Sequence, residues 1–356
     1  MVGHGCSSFH ELIAGQEPSR CLVVAELGVN HNGSASRAMR LVDEARRAGA
    51  DAVKLQLFVP GELCSRRHRA DELRMLESLR LGEQDHLTIV EHARSAGLSV
   101  FATVFDEPSL AQALRLGLPL LKLGSGEVTH APLLAAAART GLPIVLSTGA
   151  SELHEVRCAV RTLRQSGAAR LTLLHCVSAY PPPDNELNLR AITVLGDEFP
   201  DCLVGFSDHS LGSDAAAAAV ALGACMIEKH LTLHCGDDGP DHAASADPAA
   251  FAELVRSVRR VERMLGTEVK RRMPCEPVIG RSAVAARFLP EGHVLRPEDL
   301  AFRRPGRGVR PCDVRQLLGR RLARAIQDDE LIEATDLREA ESAAGPPSAP
   351  PGSAAR

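Results

Sequence analysis

The chain has 356 residues, of which 45% are hydrophobic and 24% charged, and this length suits one large domain followed by a small one. Its formal net charge is −4, with acidic and basic residues interleaved, so it lacks the basic footprint of a protein that binds nucleic acid or a membrane surface. Neither a signal peptide nor an apolar run of membrane-spanning length is predicted. The ten cysteines form no zinc-type pair, which favours reduced thiols and a cytoplasmic location.

Short β-type runs alternate with longer amphipathic or alanine-rich segments over the first 265 residues. The predicted strands are 22–31, 52–58, 99–105, 120–125, 143–148, 171–176, 204–209 and 225–233. The predicted helices between and after them include 34–48, 84–96, 152–166, 213–222 and 248–265. Apolar strands without polar alternation are typical of a parallel sheet covered on both faces. The pattern therefore predicts an α/β fold of the closed (β/α)₈ TIM-barrel type, because the first turn, at 28–33, lacks the glycine spacing of a dinucleotide-binding open sheet.

The texture of the sequence changes after the barrel segment, which we predict to span residues 1–265. Residues 266–280 contain basic residues and prolines and are typical of an exposed linker. Residues 281–338 carry short strand-like runs, two turn sequences and a small helix near 314–318, and predict a second, β-rich domain. Residues 339–356 are rich in Ala, Pro, Ser and Gly, a composition typical of a disordered tail.

Polar side chains stand at or near the carboxyl end of all eight predicted strands, where a barrel of this type builds its active site. Burying so many polar groups is costly unless a ligand pairs with them. The residues singled out are Glu26, Lys54, Gln56, Thr103, Lys122, Ser125, Ser147, Ser178, Tyr180, Ser207, His209, Glu228 and His230. Two histidines on adjacent strand ends, each within two residues of a carboxylate (Asp208 and Glu228), predict a metal site more readily than a pair of core histidines.

Seven motifs in this order match one family. They are AELGVNH at 25–31, VKLQ at 53–56, STG at 147–149, HCVSAYP at 175–181, GFSDH at 205–209, IEKH at 227–230 and GPDH at 239–242. With these motifs the chain resembles the N-acetylneuraminate (sialic acid) synthase family. The second domain is similar to that family's antifreeze-like, or SAF, domain, with RS at 281–282 and RPG at 304–306. The resemblance runs from about Cys21 to Leu337.

The resemblance implies a condensation of phosphoenolpyruvate with the open-chain aldehyde of an N-acylated sugar such as N-acetylmannosamine. The implied products are a nine-carbon, sialic acid-like 2-keto sugar acid and inorganic phosphate, with cleavage of the C–O rather than the P–O bond. His209 and His230 match the family's ligands for a divalent metal, for which manganese is expected, with magnesium or cobalt as alternatives. A Lewis acid at this position would polarise the aldehyde.

Further roles follow from the same resemblance. Lys54 and Lys122 match positions that hold phosphoenolpyruvate. Glu26 matches a position that faces the amino sugar, and Glu228 stands beside the metal. Either carboxylate could serve as general acid or base, and the sequence leaves open which acts at which step. Polar positions around the two substrates are matched by Gln56, Thr103, Ser125, Ser147, Ser178, Tyr180, Ser207 and Asp241. Arg304 matches an SAF-domain arginine that enters the partner's active site in a domain-swapped homodimer.

Several alternatives stay open from the sequence. The segment 60–82 is arginine-rich and differs from the loop that helps to cover the sugar in many relatives, so a diaminosugar of the legionaminic or pseudaminic type remains a possible substrate. A 6-phosphorylated sugar is another, with Arg66, Arg67 and Arg69 as its cations. A Schiff-base pyruvate aldolase would use Lys54 or Lys122 as nucleophile but would leave the histidines without a role. A carbohydrate- or ice-binding protein would not need competent side chains at the catalytic positions.

Overall fold

The computed structural model describes residues 4–338, and the chain divides into two units at Gly266 and Thr267. The predicted disordered tail, 339–356, lies outside the described residues. None of the helices in the described part combines the length and the hydrophobicity that crossing a membrane requires.

The first unit is a closed barrel of eight parallel strands, each hydrogen-bonded to the next, with the first strand pairing with the last. The strands are β1 (Leu22–Gly28), β2 (Ala52–Leu57), β3 (Ser99–Val104), β4 (Leu121–Leu123), β5 (Ile144–Ser147), β6 (Leu171–Cys176), β7 (Leu203–Asp208) and β8 (Met226–His230). This confirms the predicted fold class.

The helices around the barrel are more numerous than those named from the sequence. They are α1 (His4–Ile13), α2 (Ala35–Ala48), α3 (Pro60–Leu63), α4 (Ala70–Leu79), α5 (Glu83–Ser95), α6 (Glu107–Arg115), α7 (Ala131–Arg139), α8 (Leu153–Gln165), α9 (Ala191–Glu198), α10 (Asp214–Ala221) and α11 (Pro248–Leu265). The stop of α2 shows how the sequence sets a boundary. Gly49 adopts φ 88°, and its N–H caps the carbonyl groups of the last turn.

Most strands are shorter than predicted, and β1 shows the reason. The strand ends at Gly28 rather than at His31, because Gly28 takes φ 47°, a backbone conformation that leaves the strand. Asn30 N then donates to Leu27 O, and Asn32 N to Val29 O, so that residues 29–33 form turns. The apolar and polar residues that extend the predicted strands continue into loops instead. These loops carry part of the polar layer described below.

Two apolar layers hold the barrel together. The larger one lies between the strands and the surrounding helices and includes Leu41, Ile89 and Phe251. The smaller one fills the interior at the amino-terminal end of the strands, where Phe9 and Leu12 of α1 pack with the ring of Phe101 and other inward-facing side chains. Helix α1 was not predicted as an element, yet it closes this end of the barrel.

The second unit has its own core and a two-stranded antiparallel sheet formed by β9 (Ser282–Ala285) and β10 (Leu300–Arg303). Its short helices are of the 3-10 type. The predicted helix near 314–318 is a 3-10 helix at Pro311–Gln316, and the predicted linker contains another at Pro277–Ile279.

Candidate active site

A cavity of about 560 Å³ opens at the carboxyl ends of the barrel strands. Most of the side chains singled out from the sequence line it. They are Lys54, Gln56, Thr103, Lys122, Ser125, Ser147, Ser178, Tyr180, Ser207, His209, Glu228 and His230. Strand alternation explains the convergence, because residues two apart on a strand point to the same side. The polar layer follows directly above the apolar interior layer on each strand.

A buried cluster of opposite charges crosses the floor of this cavity. Lys54 Nζ lies 2.5 Å from Glu26 Oε2 and 3.6 Å from Glu228 Oε1. Lys122 Nζ lies 4.0 Å from Glu228 Oε1. Lys54 Nζ also donates to Thr103 Oγ1, and Lys122 Nζ to Ser147 Oγ, both at 2.6 Å. The lysines thus share Glu228, but only Lys54 has a second carboxylate in contact.

The two lysines respond differently to this arrangement. Burial opposes the charged form of Lys54, yet Glu228 and Glu26 outweigh it, so the pKa of Lys54 is raised. Burial dominates at Lys122, and repulsion from Lys54 adds to it, so the pKa of Lys122 is lowered despite attraction by Glu228. Burial would raise the pKa of Glu228, but Lys122 and Lys54 lower it and keep the carboxylate ionised. Lys122 is therefore a cation that an arriving anion would stabilise.

A polar cradle surrounds Gly149 after β5. A Cβ atom at this position would come within 2.6 Å of Cys176 Sγ, 2.7 Å of Ser178 Oγ and 2.9 Å of Ser125 Oγ. Gly149 N donates to Ser125 Oγ at 3.1 Å. The missing side chain keeps open a space lined by hydroxyl groups, close to the strand that carries Lys122. Hydroxyls and a cation are the donors that a phosphate or carboxylate group requires.

A second cradle lies around Gly28, at the end of β1. A Cβ atom there would come within 3.0 Å of Glu26 Oε1 and within 3.3 Å of both Gln56 Nε2 and Asp241 Oδ2. Gln56 Nε2 donates to Glu26 Oε1 at 2.9 Å. This cradle offers two carboxylates and an amide, a donor and acceptor set that suits hydroxyl and amide groups of a sugar. The two cradles are on β1 and β5, at opposite sides of the barrel.

The histidine pair lies beside Tyr180. The ring centroids of His209 and His230 are 5.5 Å apart, and Tyr180 packs 4.1 Å from His209 and 5.9 Å from His230. Burial, with repulsion from His230, lowers the pKa of His209 to about 3, so that its imidazole is neutral. Its Nδ1 lies 2.8 Å from Val177 O, which places the proton on Nδ1 and leaves Nε2 with a free lone pair.

The residues present fit a divalent metal with two protein ligands. His230 Nδ1 is buried without a hydrogen-bond partner and lies 3.6 Å from Asp241 Oδ2. Imidazole nitrogen suits borderline divalent cations such as manganese, cobalt and zinc. Within residues 4–338, no group of three or more His, Cys, Asp or Glu side chains is arranged to hold an ion. Water and substrate oxygens would therefore complete the coordination of any metal held by this pair.

Three predicted residues lie outside the cavity lining. Glu26 is buried beneath it and reaches the site through Lys54 and Gln56. Asp241 follows β8 and approaches His230 and Gly28. Arg304 belongs to the second unit, where it follows β10 and is exposed. The structure thus brings together all the predicted residues of the first unit.

Sequence reasoning missed part of the cavity rim. Leu63, Cys64, Ser65 and Glu72 line it from the segment that contains α3 and α4, together with Arg69, which was considered only as a cation for a phosphorylated sugar. Leu73, Leu76 and Leu79 recur along α4 and pack in a small apolar cluster with Val29 and Phe58. That helical spacing was the available signal.

Another omitted residue is Glu127, which lines the cavity beyond β4. Burial raises the pKa of Glu127, against the opposing effect of His130, whose Nδ1 lies 2.8 Å from Glu127 Oε2. Glu127 stands two residues beyond the predicted fourth strand, 120–125, and was not assigned a role from the sequence. Its burial could not be inferred from one sequence.

Comparisons with known proteins show the family and the fold. The NeuB family profile matches residues 41–270, and the SAF domain profile matches residues 280–338. The N,N'-diacetyllegionaminic acid synthase of Legionella pneumophila is 40% identical over 323 residues, which cover 85% of this chain and 90% of that protein. The N-acetylneuraminate-9-phosphate synthase of Homo sapiens is 32% identical, with 90% and 93% covered. The crystal structure of the N-acetylneuraminic acid synthetase of Leptospira borgpetersenii superimposes with a TM-score of 0.69 at 33% identity, covering 72% of this chain and 89% of that one.

Proposed function

Because the chain belongs to the NeuB family of sialic acid synthase-like enzymes and carries a SAF domain, we propose that it condenses phosphoenolpyruvate with the aldehyde of an N-acylated amino sugar. C3 of phosphoenolpyruvate forms a bond to the aldehyde carbon, whose oxygen takes up a proton. Water adds to C2, and the C2–O bond to phosphate breaks. One phosphoenolpyruvate, one aldehyde sugar and one water thus give one 2-keto sugar acid and one inorganic phosphate.

The observation that carries this proposal is the incomplete charge compensation of Lys122. This buried ammonium lies 4.0 Å from its nearest carboxylate partner, Glu228, and next to the hydroxyl-lined space at Gly149. We assign the phosphate of phosphoenolpyruvate to this cradle, with Ser125, Ser147 and Ser178 as hydroxyl donors. Binding of the anion would supply the negative charge that Lys122 lacks.

The sugar aldehyde is assigned to the opposite cradle. Glu26, Gln56 and Asp241 converge around Gly28 and provide acceptors and a donor for hydroxyl groups of an open-chain sugar. Lys54, between Glu26 and Glu228, would hold the carboxylate of phosphoenolpyruvate, with Thr103 and Ser207 alongside. The two reactants would then meet above the floor of the cavity, with C3 facing the aldehyde carbon.

A divalent metal, manganese in the first instance, is proposed to be held by His209 and His230. When bound, it supplies Lewis-acid polarisation of the aldehyde carbonyl. Tyr180 covers both imidazoles and shields them from bulk water. Glu228 is ionised and accepts a hydrogen bond from Ser207 Oγ at 2.9 Å, so we assign it to orient and deprotonate the attacking water. Glu26 is ion-paired with Lys54, so we assign it to accept a hydrogen bond from the sugar, while water supplies the proton that the aldehyde oxygen receives.

The proposed enzyme is a homodimer in which Arg304 completes the site of the other subunit and contacts the acyl group of the sugar. Its exposed position in a separate unit is compatible with this role. The nine cysteines from Cys21 to Cys312 are free thiols, which is compatible with the cytoplasmic location proposed from the sequence.

The dimer proposal has a direct test. His209→Ala and Arg304→Ala subunits, each inactive alone, are mixed and allowed to exchange. Only a heterodimer with a swapped arginine has one intact site, so random exchange should restore about a quarter of the wild-type activity. If a mixture with demonstrated heterodimers stays inactive, Arg304 does not act across subunits.

The sugar itself is the finer question, and a diacetamido sugar is the second candidate. The legionaminic acid synthase relative is 40% identical to this chain, compared with 32% for the 9-phosphate synthase. A 6-phosphosugar is less favoured, because Arg69 at the cavity rim donates to Glu72 at 2.5 Å, and Glu72 also lines the cavity. A phosphate group would have to displace or approach this carboxylate.

The deciding experiment is a phosphate-release screen with phosphoenolpyruvate and N-acetylmannosamine, its 6-phosphate, or 2,4-diacetamido sugars. We expect release with an unphosphorylated N-acylated sugar, loss with chelator and recovery with Mn²⁺. Lys122→Met should abolish phosphate release. The control variant Arg157→Ala, at an exposed position on α8 outside the cavity lining, should retain it. Trapping of pyruvate on the enzyme by borohydride in the presence of chelator would instead establish a Schiff-base aldolase and overturn the proposal.

A further inference from the structure

Asp208 and Lys229 immediately precede His209 and His230, and they form the last paired position of the β7–β8 ladder. Strand alternation directs them away from the cavity, whose lining includes their neighbours Ser207 and Glu228. Both charged side chains are almost completely buried, with relative exposures of 0% for Asp208 and 1% for Lys229. The mechanism proposed above gives neither of them a task.

The contacts of this pair enclose His209. Lys229 Nζ donates to Asp208 Oδ2 at 2.9 Å and also to the carbonyl oxygen of Ser210. Asp208 Oδ1 accepts from Ser210 N at 2.9 Å and from Ser210 Oγ at 2.6 Å. The residues before and after His209 are therefore both tied to the strand that carries His230.

This tie matters because His209 lies one residue beyond the end of β7. The ladder that aligns β7 with β8 stops at Asp208, so ladder hydrogen bonds do not fix the backbone of His209. Its ring has the contact with Val177 O, which orients the imidazole but ties it to β6. The Asp208–Lys229–Ser210 network is what connects this backbone to β8.

Stability alone is a poor explanation for such a pair. Removing two charges from water is costly, and well-packed apolar replacements of a buried ion pair are often neutral or stabilising. Fixing the relative position of two structural elements is the better-attested role of buried ionic groups. The Asp208–Lys229–Ser210 network connects the two strand ends that carry the histidines, so it can fix their relative position.

We propose that Asp208 and Lys229 are positioning residues that hold the backbones of His209 and His230 at the separation required to bind a divalent metal. The inference rests on the metal site of the proposed function. Groups that orient metal ligands without touching the metal commonly change metal affinity 10- to 100-fold when they are removed. The pair would therefore act on metal binding and leave the overall fold intact.

The test uses the full chain without substrates, and it follows free Mn²⁺ by its electron paramagnetic resonance signal. The variant Asp208→Asn/Lys229→Met removes both charges at similar volume. We expect its Kd for Mn²⁺ to rise at least about 10-fold, while its melting temperature stays equal to or above that of the wild type. A purely structural pair would change the melting temperature and leave the affinity unaltered.

A matched control is available at the other end of the barrel. Asp51 is buried and accepts from Arg259 Nη2 at 2.5 Å and from Val23 N at 2.9 Å. Asp51→Asn/Arg259→Met should shift the melting temperature but leave the Kd for Mn²⁺ within about two-fold, because this pair is at the end of the barrel opposite the histidines.

The possible outcomes distinguish a failure of the metal assignment from a failure of the positioning role. A wild-type protein that binds no Mn²⁺ overturns the metal assignment of the proposed function, and the positioning role falls with it. A wild type that binds Mn²⁺ and a double variant that binds it equally well overturn the positioning role alone. If the double variant does not fold, Ser210→Ala replaces it, because it removes only the Oγ contact. We expect about a three-fold weaker Kd for Ser210→Ala, and an unchanged Kd contradicts the inference.

Discussion

The interior of the barrel contains two layers that the same strands supply but that differ in chemistry. The lower layer is apolar and includes Phe101 of β3 and Val145 of β5. The upper layer begins two residues further along, with Thr103 and Ser147, and lines the cavity. A shift of two residues along a strand keeps a side chain on the same face. Within one strand, an inward-facing residue of the apolar core is thus followed, two residues later, by an inward-facing residue of the cavity.

The two layers also differ in their contribution to the free energy of folding. Apolar side chains in the lower layer gain free energy by leaving water. Lys54, Lys122, Glu26 and Glu228 in the upper layer lose solvation, and at Lys122 the attraction by Glu228 does not offset that loss. The upper layer is therefore expected to be a place of function maintained at some expense of stability. The following predictions test this contrast.

The largest effect is expected for the histidines. His209→Ala or His230→Ala should lower the turnover number at least about 1000-fold, equivalent to about 4 kcal/mol, because each removes one of only two proposed metal ligands. The melting temperature should change little, since both rings line the cavity and neither belongs to the apolar lower layer. Steady-state phosphate release and thermal unfolding of the same samples measure the two effects. Full activity in both variants would refute the metal assignment.

The next effect compares two positions on β3. Phe101→Ala should reduce the free energy of unfolding by about 3–4 kcal/mol, because it leaves a cavity between α1 and the lower layer. The folded fraction should keep most of its turnover number. Thr103→Val is the matched variant in the upper layer. It removes the acceptor of Lys54 Nζ and should reduce activity without loss of stability. Chemical denaturation and turnover assays of both proteins provide the measurement, and a reversed pattern would abolish the proposed division of roles.

The third effect is a dependence of stability on pH. His31, in the turn after β1, is 3% exposed, and burial, with repulsion from His86, lowers its pKa to about 4. The unfolded chain binds the proton at pH near 6.5, so protonation favours unfolding. Stability is unaffected by this group above pH 6.5, falls between pH 6.5 and 4, and is flat below that. The full loss corresponds to about 3 kcal/mol.

The variant His31→Asn isolates this contribution, because other buried histidines titrate in both proteins. The side chain of Asn can still accept from Gly33 N, as His31 Nδ1 does at 3.1 Å. Denaturant unfolding at pH 7.5 and at pH 4 should show a smaller loss for the variant than for the wild type. Equal losses would mean that His31 is not neutral in the folded protein.

The smallest effect concerns the phosphate cradle. Gly149→Ala should raise the KM for phosphoenolpyruvate about 10-fold, or about 1.4 kcal/mol, because a new methyl group would be only 2.6 Å from Cys176 Sγ. Gly126→Ala is the matched control at another cavity-lining glycine, where a methyl group would meet nothing within 4 Å. Initial rates at varied phosphoenolpyruvate distinguish them. Similar KM values for the two variants would place the phosphate elsewhere.

The alternation of β-type runs with helical segments and the family motifs made the barrel predictable, and the closed parallel sheet confirms the fold class. The placement of most polar side chains in one cavity follows from the same logic, since strand ends converge. What the sequence did not reveal depended on contacts between distant residues. Helix α1 is recognisable as a closure of the barrel only when Phe9 is seen against Phe101. The charge imbalance at Lys122 likewise required the distances to Glu228 and Glu26.

The different orientation of Asp208 and Lys229 compared with Glu228 is a second feature that the sequence did not reveal. All three are charged residues in consecutive motifs, GFSDH and IEKH, and the sequence alone assigned a role only to Glu228. Their division into a cavity-facing group and a helix-facing group is a consequence of strand register. The metal, the sugar and the exchange of Arg304 stay predictions, because they depend on partners rather than on the fold.

The pairing of β1 with both β2 and β8 has a consequence for any attempt to work with a shorter protein. The NeuB profile begins at residue 41, beyond this strand. A fragment cut there would leave β2 and β8 as two unpaired edges, each presenting a row of free backbone donors and acceptors. Such edges are templates for association with other chains. Strand β1 therefore protects the barrel against aggregation in addition to supplying Glu26.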